Sequence, residues 1–166
     1  MSSTSTFLLR QSVDGEWPVL AGIYHRSVLG LAPRAYEPEQ VRTWASYAAL
    51  TTFVDLIHGA DNAVLDADGR AVGFCGIDVD GRVRSLYLLP EFAGRGLGLT
   101  LLRHAMQHAR ARGLGVFTAE ASHLSRGVFL RAGFRQVGLD HVVQRGVLFP
   151  RFAMRFGAPP PLTEDD

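Results

Sequence analysis

A run of glycines between a strand and a helix is the feature that most constrains this chain. Residues 83–89 read as a strand, the loop at 94–98 reads GRGLG, and an amphipathic helix follows directly. Glycine lets main-chain N–H groups turn toward a ligand without side-chain obstruction, and a helix start carries partial positive charge. The order strand, glycine loop, helix therefore predicts a cradle for phosphates, with a diphosphate as the favoured ligand.

Two other phosphate loops fit less well. A Walker loop needs a lysine for the terminal phosphates, and every basic residue of this chain is arginine. A dinucleotide fingerprint needs the spacing G-x-G-x-x-G after the first strand of a βαβ unit, but the register here is G-x-G-x-G, after two hairpins. A tight strand-to-helix turn without a ligand remains the simpler alternative.

Composition sets the broad class. The 166 residues are 47% apolar and 20% charged, which is typical of one globular domain. The net charge of +1 favours neither nucleic acid nor an anionic membrane as partner. A single cysteine excludes an internal disulfide, and Cys75 lies in an apolar segment that predicts a buried, inert thiol.

The ends of the chain carry further expectations. No apolar run is long enough for a transmembrane helix, and the first residues lack the pattern of a signal peptide, so a cytoplasmic protein is expected. We expect one domain over residues 1–156 and a disordered tail over 157–166.

Periodicity and turn signals predict an alternation of strands and helices. The predicted strands cover residues 6–11, 62–66, 71–79, 82–89, 116–119, 134–139 and 147–156. The predicted helices cover residues 14–29, a stretch from Pro38, the segment after the glycine loop up to Gly113, and the segment from Ser122 to Gly133. Hairpins followed by strand, loop, helix and strand indicate a mixed sheet with helices on its faces.

Three motifs in this order resemble the GNAT superfamily of N-acetyltransferases. Residues 93–98 are similar to that family's acyl-CoA loop, [QR]-x-x-G-x-[GA], and LYLLPE at 86–91 resembles its L-Y-V-x-P-E. EAS at 120–122, followed by VFLRAGF at 128–134, resembles its F-[YF]-x-x-x-G-F helix. The resemblance covers roughly residues 6–156.

The resemblance implies an α/β (α+β) fold. We expect a mixed, mostly antiparallel central sheet of six to seven strands flanked by about four helices. The fourth and fifth strands would splay apart into a V-shaped opening that admits acetyl-CoA as cosubstrate. A homodimer, through the C-terminal strand, is also implied as possible.

The family's cofactor contacts carry over residue by residue. The N–H groups of residues 93–98 would face the diphosphate, although Ala93 stands where relatives have Gln or Arg. Main-chain groups of Leu86 and Leu88 would pair with the pantetheine arm, and the Leu88 N–H would polarise the thioester carbonyl. The full implied set is Leu86, Tyr87, Leu88, Ala93, Gly94, Arg95, Gly96, Leu97, Gly98, Leu99, Thr100, Ser122, Ser125 and Phe129.

The same resemblance leaves the proton transfers open. Phe129 occupies the position of the tyrosine that donates a proton to the leaving thiolate in many relatives, and a phenyl ring has no such proton. Ser122 stands in place of a pantetheine-binding Asn, or caps the next helix. The general base is predicted to be Glu120, with Asp78 and His123 as further candidates.

Four aromatic residues and one pair of histidines bear on the questions of an acceptor pocket and a metal site. Tyr24, Tyr36, Trp44 and Tyr87 could line an acceptor pocket, or simply fill the core. His104 and His108 have i, i+4 spacing but no acidic or thiol partner between them, so no metal site is predicted.

The resulting hypothesis is an acetyl-CoA-dependent transfer to a primary amine of a small molecule or peptide in a ternary complex. The alternatives are an acyl-CoA-binding or sensing module without catalysis, and a nucleotide-binding regulatory domain.

Overall fold

One sheet of seven strands organises the molecule, which a computed structural model describes over residues 4–157. The strands are β1 (Phe7–Gln11), β2 (Asp61–Ala67), β3 (Arg70–Ile77), β4 (Arg82–Leu88), β5 (Phe117–Ala121), β6 (Arg135–Gln144) and β7 (Val147–Phe156). The helices are α1 (Trp17–Leu31), α2 (Pro38–Ser46), α3 (Thr51–His58), α4 (Leu97–Ala111) and α5 (Arg126–Arg131).

The strand order is β1-β2-β3-β4-β5-β7-β6, and only the β4–β5 pair is parallel. The prediction of a mixed, mostly antiparallel sheet of six to seven strands is therefore confirmed. The β2–β3 hairpin turns at Asp68 and Gly69, both with positive φ, as the Asp-Gly pair predicts.

The β4 and β5 strands touch at their first residues and then separate. Arg82 pairs with Thr118 and Val83 with Ala119, and no further pair follows. On the other side of β4, Ile77 pairs with Val83 and Gly76 with Ser85. Arg84 is therefore an extra residue, which is the definition of a β-bulge. Because a bulge bends its strand, it accounts for the predicted splay at the point where β4 leaves β5.

The helices differ from the prediction in two places and the strands in one. The helix α3 was not predicted, so five helices surround the sheet in residues 4–157 where about four were expected. The helix α5 begins at Arg126 with Ser125 at its N-cap, because a turn occupies the residues after Ser122. The strand β6 extends to Gln144, five residues beyond its predicted end. The tail predicted as disordered lies, from residue 158, outside the described residues.

The core forms where the predicted apolar faces meet. Leu102, Ala105, Met106 and Ala109 on α4 are all buried, as their spacing predicts. Cys75 is fully buried, as predicted, and burial raises the pKa of its thiol to about 12. No helix within residues 4–157 is long and apolar enough to cross a membrane.

Candidate active site

A cleft of about 540 Å³ opens where β4 and β5 part. The whole of β4 forms one wall, and the glycine loop with the start of α4 forms the floor. The turn after β5 and the helix α5 form the opposite wall, and α1, α2, α3 and the β6–β7 hairpin contribute further lining residues. The predicted opening is therefore a real cavity, with the glycine loop at one end and aromatic residues at the other.

The glycine loop presents a row of unused main-chain donors. Gly94 and Gly96 have φ of 75° and 78°, and Gly96 is the N-cap of α4. No described residue accepts a hydrogen bond from the N–H groups of residues 94–99, and the first helical N–H bond is from Thr100 to Gly96, at 3.2 Å. Six consecutive free N–H groups at a helix start form a concave site for an anion.

Not every residue predicted in this loop lines the cleft. Ala93, Gly94, Gly96, Gly98 and Leu99 do. The N–H of Ala93, however, donates to the Pro90 carbonyl at 3.2 Å, so the free donors begin one residue later than predicted.

Two polar side chains of this region, as well as Leu97, stand outside the cleft lining. The Arg95 guanidinium lies over the Phe92 ring, 5.4 Å from its centre. The Thr100 hydroxyl donates to the Gly96 carbonyl at 3.2 Å. The loop therefore offers main-chain groups to a ligand more directly than side chains.

The open edge of β4 offers a second set of main-chain groups. The Leu89 N–H donates to Val72 on the β3 side, at 2.8 Å. Because N–H groups alternate in direction along a strand, those of Leu88 and Leu86 point away from β3, into the cleft. Leu86, Tyr87 and Leu88 all line the cleft, and a Cβ added to Gly98 would contact Leu88 at 3.5 Å.

Two serines and a phenylalanine form the wall opposite β4. Ser122, Ser125 and Phe129 line the cleft, and the Phe129 ring packs edge-on against Phe134, 5.0 Å away. The Ser122 hydroxyl oxygen accepts hydrogen bonds from the N–H groups of Leu124 and Ser125, both at 3.2 Å. Ser122 therefore stabilises the turn before α5 and is not the cap of that helix.

Among the three candidate bases, Glu120 is the one that lines the cleft. It lies on β5, and its half-exposed carboxylate is 3.3 Å from the guanidinium of Arg82, also half-exposed. The contact joins β5 to β4 beside the residues where the two strands pair. The Glu120 carboxylate is open to solvent on its other side.

The Asp78 carboxylate is bound by residues of the β3–β4 turn and the start of β4. The carboxylate is 2.7 Å from Nε of Arg84 and accepts hydrogen bonds from the N–H groups of Asp80 and Arg82. Burial by itself would raise the pKa of Asp78, but these donors hold it below its usual range. Its side chain lies outside the cleft lining and has a structural set of partners.

His123 lies in the turn between β5 and α5, not at the start of the helix. Its side chain is exposed and packs against Phe152, with ring centres 5.1 Å apart. The main-chain N–H of His123 donates to the Tyr36 hydroxyl at 2.9 Å. The imidazole does not line the cleft.

The four aromatic residues predicted for an acceptor pocket form one packed cluster. Trp44 and Tyr87 line the cleft, whereas Tyr24 and Tyr36 are 5% and 7% exposed and lie behind them. The ring centres of Tyr24 and Tyr87 are 4.6 Å apart, and those of Tyr36 and Trp44 are 5.3 Å apart. Burial raises the pKa of the Tyr24 and Tyr87 phenols, so both stay protonated at neutral pH.

Sequence reasoning missed the arginines of the cleft. Arg82, Arg84, Arg131 and Arg151 all line it, from three elements, β4, α5 and β7. Arg82 and Arg84 pair with carboxylates, while Arg151 lies over the Phe149 ring, 5.3 Å from its centre. Their convergence has no local sequence signal, because two strands and a helix bring them together. Residues 4–157 hold no cluster of three His, Cys, Asp or Glu side chains suited to a metal ion.

Comparison with known proteins identifies the fold and the family. A family profile described as an acetyltransferase (GNAT) domain matches residues 33–156. The chain is 26% identical to the uncharacterised N-acetyltransferase YafP of Escherichia coli over 89% of this chain and 94% of that protein.

Solved structures agree with the profile. The GCN5-related N-acetyltransferase of Rhodopseudomonas palustris superposes with a TM-score of 0.86 at 26% identity, over 95% of this chain and 99% of that one. The fold also matches YncA of Salmonella typhimurium, solved with its cofactor acetyl-CoA, at a TM-score of 0.65 and 20% identity, over 98% and 99% of the two chains. The chain therefore belongs to the GNAT family of acetyltransferases.

Proposed function

We propose that this protein transfers the acetyl group of acetyl-CoA to a primary amine of a small molecule or peptide, by direct attack in a ternary complex. The observation that carries the proposal is the row of free N–H groups at residues 94–99, in which Gly94, Gly96, Gly98 and Leu99 line the cleft between β4 and β5. A diphosphate is the part of CoA that such a row of donors fits. The presence of acetyl-CoA in the structure of the Salmonella relative supports this ligand.

The open edge of β4 would hold the pantetheine arm. Main-chain groups of Leu86 and Leu88 are free on this edge and could pair with the amides of the arm as an added strand would. The arm would then run from the glycine loop toward the aromatic end of the cleft, where Trp44 and Tyr87 lie. An amine bound at that end would meet the thioester.

Acetyl-CoA supplies an activated acyl group, and the chain would supply orientation and charge. The Leu88 N–H would donate to the thioester carbonyl and stabilise the negative charge that develops on its oxygen. Glu120, the candidate base that lines the cleft, would accept a proton from the attacking amine through water. Asp78 and His123 remain weaker candidates, because their side chains lie outside the cleft lining.

A second candidate function is binding or sensing of acyl-CoA without transfer. Two departures from the family pattern favour it. Phe129 has no hydroxyl for the leaving thiolate, and Ala93 lacks the side-chain donor that relatives place there. Both functions require CoA in the cleft, so binding alone does not separate them.

Turnover separates the two candidates. We expect acetyl-CoA with a panel of small amines, amino acids and short peptides to release free CoA in proportion to acetylated amine, detected by a thiol reagent and by mass spectrometry. CoA binding in the micromolar range, with no acetylated product from any member of the panel, would support the binding module instead.

A further inference from the structure

Ser125 presents a hydroxyl proton to the cleft that no described residue accepts. The hydrogen bonds around Ser122 and Ser125, in the turn before α5, leave this proton without an acceptor. The Ser122 oxygen already accepts two N–H groups, from Leu124 and Ser125. A hydroxyl oxygen has two lone pairs, so the Ser122 oxygen has no capacity for a third donor.

The remaining contacts then fix the direction of both hydroxyl groups. The two hydroxyl oxygens are 3.2 Å apart, and the Ser125 oxygen also accepts the Ser122 N–H at 3.0 Å. Since Ser122 cannot accept again, its hydroxyl donates to Ser125. Both lone pairs of the Ser125 oxygen are then occupied, and its own proton is left to donate outward. Ser125 lines the cleft, so a ligand in the cavity can accept this proton.

The position of this donor is close to the Phe129 ring. The Phe129 N–H donates to the Ser125 carbonyl at 3.1 Å, so the two residues are one helical turn apart and their side chains share a face. Both line the cleft, opposite Leu88. The hydroxyl that Phe129 lacks is therefore present one turn earlier, already oriented by its neighbour.

We propose that the Ser125 hydroxyl donates a hydrogen bond to the thioester sulfur and stabilises the thiolate as CoA leaves, an inference that rests on the proposed function. As the C–S bond breaks, its electron pair goes to sulfur, where the Ser125 proton meets the developing charge. The amine nitrogen loses one proton as the new C–N bond forms. Glu120 takes up this proton through water and returns it to the thiolate, which completes the thiol. Ser125 ends the step as it began, with its proton.

The ionisation of bound CoA tests this inference without a known acceptor. The probe is CoA itself, titrated with base in complex with the protein while the ultraviolet absorbance of its thiolate is recorded. A hydrogen bond to the thiolate favours the charged form and lowers the thiol pKa. We expect the ionisation constant of the bound thiol to be about tenfold lower in Ser125→Ala than in the wild type, the effect of one charge-assisted hydrogen bond.

Two variants complete the test. Ser125→Thr keeps the hydroxyl and should keep the wild-type ionisation constant, while Ser27→Ala removes a different serine of the same cleft and should leave it unchanged. Equal ionisation constants in the wild type and Ser125→Ala, with CoA bound to both by calorimetry, would overturn the role of Ser125. Failure of CoA to bind the wild type would instead overturn the proposed function.

Discussion

The two ends of the cleft present different kinds of groups to a ligand. At the glycine loop, main-chain N–H groups of residues 94–99 converge within one short stretch of sequence. At the aromatic end, the contacts come from side chains on α1, α2, β4 and β7, so that residues from Tyr24 to Arg151 meet. A main-chain site leaves a local sequence pattern, because its glycines must stand together. A side-chain site spread over four elements leaves none.

The two ends of the cleft should also differ in which substitutions they tolerate. The loop donors depend on backbone conformation, which most side-chain changes on the surface leave intact. The aromatic end depends on the side chains themselves, and Trp44 and Tyr87 are held by packing against Tyr36 and Tyr24. We expect changes at the loop to abolish CoA binding, and changes at the aromatic end to alter only the use of the amine.

The largest expected effect is that of Gly96→Glu. A carboxylate at this position would meet the diphosphate, and the φ of 78° is strained for any L side chain. We expect CoA affinity measured by calorimetry to fall by about 100-fold or more, since like charges oppose each other across a desolvated site. The matched control is Gly69→Glu, at a φ of 80° in a hairpin turn away from the cleft, which should bind CoA as the wild type does.

Glu120→Gln should have the next largest effect, and on turnover alone. General acid–base catalysis contributes about 100-fold or more to rate, so kcat should fall by about that factor while CoA affinity stays within twofold. Glu39→Gln, which changes an acidic residue in the first turn of α2, is the control. An unchanged kcat in Glu120→Gln would exclude this carboxylate as the base.

Trp44→Ala sharpens the contrast between the two ends. The indole lines the cleft and its N–H donates to the Tyr87 hydroxyl at 3.4 Å, so its loss removes both contact area and a partner. We expect KM for the amine to rise by about tenfold, which corresponds to about 1.4 kcal/mol, with CoA affinity unchanged. A loss of CoA affinity equal to the loss of amine affinity would show that the two ends are not independent.

The smallest effect on activity is expected for Asp78→Asn. This substitution should lower the free energy of unfolding instead. The donors around Asp78 hold the pKa of its folded form below the unfolded value of about 3.9. Its contribution is therefore complete above that pH and is lost as pH falls through the folded pKa. We expect the variant to lose about 1–3 kcal/mol of unfolding free energy at pH 7, with the difference shrinking below about pH 4.

Denaturant titrations of the wild type and Asp78→Asn at pH 7 and at pH 3 measure this difference. The kcat of both proteins is measured at pH 7. A stable Asp78→Asn variant with a kcat reduced by 100-fold would make Asp78 the base in place of Glu120.

The sequence predicts the sheet well because hairpins and the glycine loop have local causes. The Asp68–Gly69 turn and the buried face of α4 follow from residues close together in the chain. The helix α3 was missed because only Phe53 and Ile57 mark its buried face over eight residues, and Leu50 at its N-cap gives no start signal. The bulge at Arg84 shows only in the pairing with β3, which no local pattern records.

The residues of the site likewise include some with a local sequence pattern and some without one. The glycines place the loop at residues 93–98 to within one residue of its free N–H groups, whereas Asp78 and His123 are predicted as bases only from their position near strand and helix ends. Whether such a side chain turns into the cleft depends on partners far along the chain, such as Tyr36 for the backbone of His123. The hydrogen bonds that orient the Ser125 hydroxyl likewise depend on the folded shape of the turn, which the sequence does not show.

The most direct measurement compares CoA with pantetheine, which keeps the arm but lacks the diphosphate, in calorimetric titrations of the wild type and Gly96→Glu. If the loop N–H groups bind the diphosphate, the wild type should prefer CoA by about 100-fold, and Gly96→Glu should bind the two ligands with nearly equal, weak affinity. Equal affinities of the wild type for CoA and pantetheine would contradict the account.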